Sequence, residues 1–201
     1  MNRMHRGVSL FAGCFIALAA IARLSLRLLN THMLISHTFW YLVYLAVPQL
    51  LSLAMAAVLL RGQRGKVACG VFALNAIYET LGAFLIVSIV NSTNDVFRVA
   101  QTSLVFSMIS SVFYLLVALG CFPGFGKGTR LLRWVLLVLP VVRFGTIMVT
   151  DLVTYCSMLG SACSLGLLAR TMWQGFPGLA TELIAEVSIA LSLFLSKNTK
   201  E

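Results

Sequence analysis

The stretch VACGVFALNAIYETLGAFLIVSIV, residues 67–90, contains a single charged side chain, that of Glu79. A helix needs about 20 apolar residues to cross the hydrocarbon core of a bilayer, and this stretch is long enough. Its apolar residues run on without alternating with polar ones, which favours a helix over a strand of a membrane β-barrel. The stretch therefore predicts a transmembrane helix with one carboxylate near its middle.

The whole chain has the same apolar character. Of its 201 residues, 60% are hydrophobic and only 10% are charged, and the mean hydropathy is +0.96. These values lie far outside the range of soluble globular domains. Because the sequence has no polar segment of domain size, we expect residues 1–201 to form one all-α integral membrane domain, with the lipid bilayer as its surroundings.

The breaks between apolar runs predict a polytopic transmembrane bundle of seven helices, with six as the alternative. Residues 131–169 are too long for one crossing, so the seven-helix interpretation places a tight hairpin near Thr150 and Asp151. The six-helix alternative makes residues 154–176 a re-entrant or surface segment. The seven predicted helices cover about residues 8–29, 39–60, 67–90, 99–122, 131–150, 152–169 and 177–196.

Basic residues in short connections predict the orientation of the bundle. The segments RGQRGK (61–66) and GKGTRLLR (126–133) each carry three basic residues, whereas NSTND (91–95) carries only an acidic one. The positive-inside rule then makes the two basic connections cytoplasmic, together with the N-terminus, which carries Arg3 and Arg6. The net charge of +9 follows from this pattern. We expect no nucleic-acid partner, because aromatic and basic residues do not cluster together.

The N-terminal segment has a second interpretation. MNRMHR, followed by an apolar run that ends in AIA at residues 20–22, has the three-part pattern of a cleavable signal peptide. Cleavage after Ala22 would start the mature chain at Arg23. We favour an uncleaved first helix, whose last turns carry Arg23 and Arg27 close enough to the interface for both side chains to snorkel into it.

The sequence contains no motif for catalysis, a metal or a cofactor. The three histidines and five cysteines follow neither an HExxH nor a CxxC pattern, and packing explains the cysteines. A glycine-rich phosphate loop and a GxSxG nucleophile elbow are also missing from the sequence. We therefore expect no metal and no cofactor, and we rank a membrane-embedded enzyme third among the possible functions.

Ionisable residues within the apolar segments are the candidate functional residues. A charge at mid-membrane costs about 2.5 to 3.5 kcal/mol on insertion scales, so such residues normally turn inward, find a partner and mark a functional site. The seven candidates are Arg23, Arg27, Glu79, Arg143, Asp151, Glu182 and Glu186.

Glu79 and Arg143 are the main candidates for a substrate site or an ion pair. Glu79 lies thirteen residues after Lys66, and Arg143 lies thirteen residues after Arg130. At 1.5 Å per residue, each is about 20 Å from the same membrane face. We therefore predict that the two residues neutralise each other if their helices are neighbours.

Glu182 and Glu186 are secondary candidates, one turn apart on the last helix. In a bundle of seven helices they lie in its inner half. In a bundle of six, we expect them to approach Arg23 and Arg27.

Three functions are compatible with these residues. The first is transport of a small solute or proton through a polar cavity around Glu79 and Arg143. The second is a non-catalytic membrane subunit or sensor, in which the pair only fixes helix register and small residues contact a membrane-protein partner or a second copy of the chain. Small residues suited to such contacts are Gly160, Ser161, Ser164 and Gly166. The third is the membrane-embedded enzyme.

Overall fold

The computed structural model of the chain is helical throughout the residues that it describes, which are 3–30, 38–62, 65–90, 94–122, 130–159 and 164–196. These residues form six helices that follow one another along the chain. The helices are α1 (Arg3–Asn30), α2 (Thr38–Leu60), α3 (Lys66–Val90), α4 (Asn94–Cys121), α5 (Arg130–Leu159) and α6 (Leu165–Ser196).

The first four predicted helices are confirmed, but the seven-helix count is wrong. Helix α5 continues through Thr150 and Asp151 to Leu159, where the sequence analysis placed a hairpin. Neither residue is a glycine or a proline, so nothing local ends the helix there. Helix α6 begins at Leu165 and includes Pro177. The described residues form the number of helices that the six-helix alternative predicts, and most of residues 154–176 lie between the apolar segments Leu132–Thr154 and Phe176–Leu193. The re-entrant or surface location of residues 154–176 stays a prediction. The bundle accommodates the long segments by extending two helices instead of adding a crossing.

Among the residues whose side chains the structure describes, four helices contain a segment long and apolar enough to cross a membrane. The segments are Arg6–Ser25 in α1, Leu104–Cys121 in α4, Leu132–Thr154 in α5 and Phe176–Leu193 in α6. Within the part of α2 whose residues were assessed, the apolar stretch Ala46–Leu60 is shorter. The four segments fit an integral membrane protein.

Successive helices run in opposite directions, and the connection between α2 and α3 shows how the chain turns. The amide of Gly62 donates to the carbonyl of Leu59 at 3.0 Å, and Gly62 has a φ of 60°, a left-handed conformation that glycine adopts easily and that ends the helix. Gly65 then donates from its amide to the carbonyl of Cys121 at 3.2 Å. This bond places the start of α3 beside the end of α4.

One end of the bundle collects basic side chains, and we call it the basic end. The hydroxyl of Ser9 near the start of α1 donates to the carbonyl of Leu59 at the end of α2, at 2.6 Å. Leu136 near the start of α5 belongs to the same buried cluster as Cys121 at the end of α4. The beginnings of α1, α3 and α5 therefore lie at the same end as the last turns of α2 and α4. The basic residues described there are Arg6, Arg61, Lys66 and Arg133.

A cluster of buried apolar residues, which we call the packed core, lies next to the basic end. Small side chains in α1 and α2 let these two helices approach closely: a Cβ on Gly13 would lie 2.7 Å from Cγ of Leu60 and 3.1 Å from the carbonyl oxygen of Ala56. Close approach through small residues is the usual way in which membrane helices pack. The packed core consists of Ala12, Ile16, Met55, Ala56, Val58, Leu59, Ala68, Phe72, Phe113, Val117, Ala118, Cys121, Leu136, Ile189 and Ala190.

Candidate functional site

A cavity of about 170 Å³ lies inside the bundle, beyond the packed core as seen from the basic end. Every one of the six helices contributes to its wall. We call it the charged cavity, because five ionisable side chains with carboxylate or guanidinium groups line it. The residues that line it are Ile16, Ala19, Ala20, Arg23, Pro48, Gln49, Ser52, Met55, Asn75, Glu79, Ser110, Tyr114, Arg143, Thr181, Glu182, Ala185, Glu186 and Ile189.

Helix α3 presents different chemistry on its two faces. Asn75 and Glu79 are one turn apart and line the charged cavity, as expected for residues at positions i and i+4. Leu74, Ile77 and Leu81 lie on the other face and are each more than half exposed. The helix therefore turns its only mid-helix charge inward and its large apolar side chains outward, which is the arrangement expected in lipid.

Helix α4 is joined to α3 by hydrogen bonds at the level of the cavity. The hydroxyl of Ser111 donates to the carbonyl of Ala76 at 3.0 Å and lies 2.7 Å from the hydroxyl of Thr80. Ser110 and Tyr114, which line the cavity one turn apart, are thereby held on the same wall as Glu79. Helices α3 and α4 form one polar wall of the cavity.

The opposite wall contains a branched ion-pair network centred on Arg143. Its Nη1 donates to Oε1 of Glu186 at 2.8 Å, and its Nη2 donates to Oε2 of Glu182 at 3.2 Å. The exposed fraction of the side chain is 15% for Arg143 and 4% for Glu186, compared with 39% for Glu182. The shorter pair is therefore also the more deeply buried one. Nε of Arg143 is buried as well and has no acceptor among the described residues.

Arg23 extends this network to α1. Its Nη2 lies 3.6 Å from Oε1 of Glu182, and 38% of its side chain is exposed. Glu182 thus lies between two guanidinium groups. The expectation that Glu182 approaches Arg23 in a six-helix bundle is confirmed, whereas the side chain of Arg27 lies outside the described part of the structure.

The predicted ion pair between Glu79 and Arg143 is not formed. Both side chains line the charged cavity, and their similar depth in the bundle stays a prediction. The ion-pair partners of Arg143, however, are Glu182 and Glu186 on α6. Arg143 has only one guanidinium group, and α6 offers it two carboxylates on successive turns. Glu79 has no ion pair and no hydrogen bond among the described side chains.

The remaining sequence candidates lie away from the cavity or outside the described residues. Asp151 is half-buried on α5, two turns beyond Arg143, and does not line the charged cavity. Within the described residues, no group of three or more His, Cys, Asp and Glu side chains could hold a metal ion. Of the small residues proposed for helix contacts, Ser164 and Gly166 are exposed, and Gly160 and Ser161 lie outside the described ranges.

Five polar cavity residues were not predicted from the sequence, namely Gln49, Ser52, Ser110, Tyr114 and Thr181. Gln49 is a buried amide beside Pro48 in an apolar helix, and Ser110 and Tyr114 have the i, i+4 spacing of one helix face. A search for uncharged polar residues at helical spacing would have found them. Restricting the search to ionisable residues left them out.

Comparison with other proteins adds no assignment: no family model, no curated protein and no solved structure matches the chain. The fold and the site therefore define the chain by their own features. It has a helical bundle with membrane-spanning candidate segments around a cavity that contains three carboxylates and two guanidinium groups.

Proposed function

We propose that this chain is a multi-pass membrane protein that binds a small polar solute in the charged cavity and moves it across the bilayer. The observation that carries the proposal is the position of the cavity, which all six helices line. Binding sites of secondary transporters lie near the middle of the membrane between helices that can move relative to one another. The lining of the charged cavity by residues from six separate helices supports this proposal.

The outer surface of the bundle supports a membrane location. Large apolar side chains point outward from several helices, among them Leu18, Leu74, Val138 and Val141, all more than half exposed. Soluble monomers rarely expose apolar surface on this scale. Trp134 on α5 and Trp173 on α6 are also exposed, and tryptophan is typical of membrane–water interfaces.

The orientation follows from the charge distribution. The basic end collects Arg6, Arg61, Lys66 and Arg133, and we place this end on the cytoplasmic side. Six crossings then put both the start of α1 and the end of α6 in the cytoplasm. Cysteines introduced as Lys66→Cys and Asn94→Cys in a cysteine-free background should react with an impermeant thiol reagent from the cytoplasmic and the external side, respectively. The opposite pattern would reverse the orientation.

The size of the charged cavity limits what the solute can be. A cavity needs about 10 to 15 Å³ to hold a single water. The 170 Å³ of the charged cavity therefore accommodates several waters or a solute of a few non-hydrogen atoms. Its wall is polar and charged, which favours a polar solute over a lipid. The dimensions do not suit a long-chain or polymeric substrate.

Two adjacent positions on α1 provide a matched test of solute access. Ala19 lines the charged cavity, whereas the side chain of Leu18 is 68% exposed on the outer surface. With the five native cysteines replaced, Ala19→Cys should react with a membrane-impermeant thiol reagent and Leu18→Cys should not, because lipid covers it.

The side from which Ala19→Cys reacts distinguishes the candidate functions. A transporter exposes its site alternately to the two sides, so a reagent added to either side should label the position. Labelling from one side only would contradict transport and favour a sensor. If the reagent labels Ala19→Cys from neither side, water does not reach the cavity and the proposal fails.

A further inference from the structure

The five charged groups in the cavity wall do not neutralise one another completely. Glu182 and Glu186 receive both Nη groups of Arg143, and Glu182 also has Arg23 within 3.6 Å. Glu79 has neither an ion pair nor a hydrogen bond among the described residues. With all five groups ionised, the cavity contains three negative and two positive charges, and the carboxylate in excess is that of Glu79.

A second observation indicates a ligand beside Glu79. Only 1% of Ser110 is exposed, it lines the cavity, and its Oγ has no hydrogen-bond partner among the described residues. Buried hydroxyls are normally hydrogen-bonded, so an unpartnered one requires an explanation. Asn75 and Gln49 are likewise buried and line the same cavity. The wall therefore offers one free carboxylate together with neutral oxygen acceptors.

These groups match the chemistry of an ammonium group. An ammonium group has one positive charge and three or more N–H donors, and it requires several oxygen acceptors around it. Glu79 supplies the opposite charge, and Asn75 and Ser110 supply neutral acceptors. Tyr114 also lines the cavity, and aromatic rings attract organic cations.

A divalent metal ion fits the same wall less well. Mg²⁺ and Ca²⁺ take six or more oxygen ligands and usually more than one carboxylate. Glu79 is the only carboxylate on the α3–α4 wall of the cavity, because Glu182 and Glu186 come from α6 and bind Arg143. One excess negative charge corresponds to one monovalent cation.

We propose that the charged cavity binds a small monocationic amine, with its ammonium group between Glu79 and Ser110. The proposal rests on the proposed function, since it names the chemical class of the solute that the same cavity takes up. Arg143 has a separate role here: it holds Glu182 and Glu186, so that these carboxylates do not compete for the ligand.

The probe for this site is methylammonium, which has two non-hydrogen atoms and fits the cavity. Purified protein in detergent should gain thermal stability as methylammonium chloride is added at constant pH and ionic strength, because a ligand that binds only the folded state stabilises it. The increase in Tm should saturate. Sodium chloride at the same concentration serves as the reference and should give no increase.

Two variants localise the effect. Glu79→Gln should abolish the response to methylammonium, because the amide has no charge. Asp151→Asn is the matched control: it also removes one carboxylate from an apolar helix, but at a position outside the cavity, and its response should equal that of the unmodified protein. If Glu79→Gln retains the full response, the proposed site is wrong.

Ser110→Ala keeps every charge and extends the test should Glu79→Gln not fold. We expect it to raise the apparent Kd for methylammonium by about tenfold or more, since a hydrogen bond to a charged group contributes roughly that factor. An unchanged Kd would remove Ser110 from the site and contradict the stated position of the ammonium group.

Two other outcomes would overturn the proposal. If sodium stabilises the protein as well as methylammonium does, the site selects a bare cation instead of an amine. If acidification without any amine gives the full increase in Tm and methylammonium adds nothing, Glu79 is a proton site.

The labelling of Ala19→Cys separates failure of this inference from failure of the proposed function. Labelling from both sides without a methylammonium response leaves solute transport intact and refutes the amine. A methylammonium response through Glu79 in a cavity that is labelled from one side only would leave the amine site intact and refute transport.

Discussion

Helices α1 and α2 touch at the basic end and then, farther along, line the charged cavity. At Gly13 the helices are so close that a Cβ would lie 2.7 Å from Cγ of Leu60. About two to three turns beyond, Ala20 and Arg23 of α1 and Gln49 of α2 line the cavity. The same pair of helices is thus closely packed at one level and lines a polar space at another.

The two levels differ in how their inward-facing groups are satisfied. The packed core contains apolar side chains that need only contact, and the close packing of Phe72 and Phe113 leaves each 1% exposed. The charged cavity contains groups that need partners: Arg143 satisfies Glu182 and Glu186 but leaves Glu79 without an ion pair among the described residues. Contact area holds one level together, and specific charge pairs hold the other.

The largest effect is expected from Arg143→Gln, which tests whether the cavity depends on its ion pairs. The variant leaves the buried carboxylate of Glu186 without its guanidinium partner, and breaking a buried pair in this way costs about 3 to 5 kcal/mol. The free energy of unfolding in mixed detergent micelles measures the loss. Arg61→Gln, which removes an exposed arginine at the basic end, should change it by about 0.5 kcal/mol or less.

A double-mutant cycle identifies the partner of Arg143. The losses of Arg143→Gln and Glu186→Gln should be strongly non-additive, because the two side chains are hydrogen-bonded at 2.8 Å. The cycle that combines Arg143→Gln with Glu79→Gln should show a smaller coupling free energy than the cycle with Glu186→Gln. Equal coupling in both cycles would contradict the network described above and restore Glu79 as a direct partner.

A smaller loss is expected from Gly13→Ala, which tests the close packing of the core. The added methyl group meets Leu60 at 2.7 Å and the backbone oxygen of Ala56 at 3.1 Å, and such overpacking costs about 1 to 3 kcal/mol. Gly7→Ala on the same helix is the control, because no neighbouring atom lies within 4 Å of the position that the added Cβ would take. Gly7→Ala should leave the stability unchanged or raise it, since alanine favours helix.

Similar unfolding free energies for the two alanine variants would show that α1 and α2 are not in close contact at Gly13. The contrast between the packed core and the charged cavity would then lose its basis in helix spacing.

The smallest effect is expected from Ser9→Ala, which removes one hydrogen bond between α1 and α2. The hydroxyl of Ser9 donates to the carbonyl of Leu59 at 2.6 Å, and loss of such a bond costs about 1 kcal/mol. Ser52→Ala is the reference, because its hydroxyl bonds to the carbonyl of Pro48 in its own helix and joins no second helix. Unfolding experiments should find the larger loss for Ser9→Ala, and a larger loss for Ser52→Ala would contradict this comparison.

The sequence alone predicted the helical class and the existence of the first four helices, although α1 and α4 begin at Arg3 and Asn94, each five residues earlier than predicted. A run such as residues 67–90 is mostly apolar, with Glu79 as its single charged residue, and is long enough to span a bilayer. A helix is the structure that satisfies its backbone without neighbours. Because these properties are local, a single sequence was sufficient. The same local reasoning failed at Thr150 and Asp151, because a helix longer than the bilayer is thick needs no turn residue and leaves no signal of its own.

The error in helix count also explains the wrong partner for Arg143. In the predicted seven-helix bundle, the additional helix before the last one reverses the direction in which the last helix runs. Glu182 and Glu186 would then lie at a different depth. In the six-helix bundle, Glu182 lies fourteen residues before the end of α6 at Ser196, and Arg143 lies thirteen residues after the start of α5 at Arg130. Since α5 and α6 run in opposite directions, the two residues meet.

The sequence predicted the five charged residues that line the cavity, because the cost of a charge in an apolar helix depends on that helix and its surroundings, but it also predicted Asp151, which does not line it. Only the tertiary structure decided how those charges were distributed. Glu79 and Arg143 line the same cavity, yet Arg143 pairs with two carboxylates of α6 and Glu79 does not pair with it. Pairing depends on which helices are neighbours and on how each helix is rotated about its axis. The spacing of residues along one helix gives no information about either.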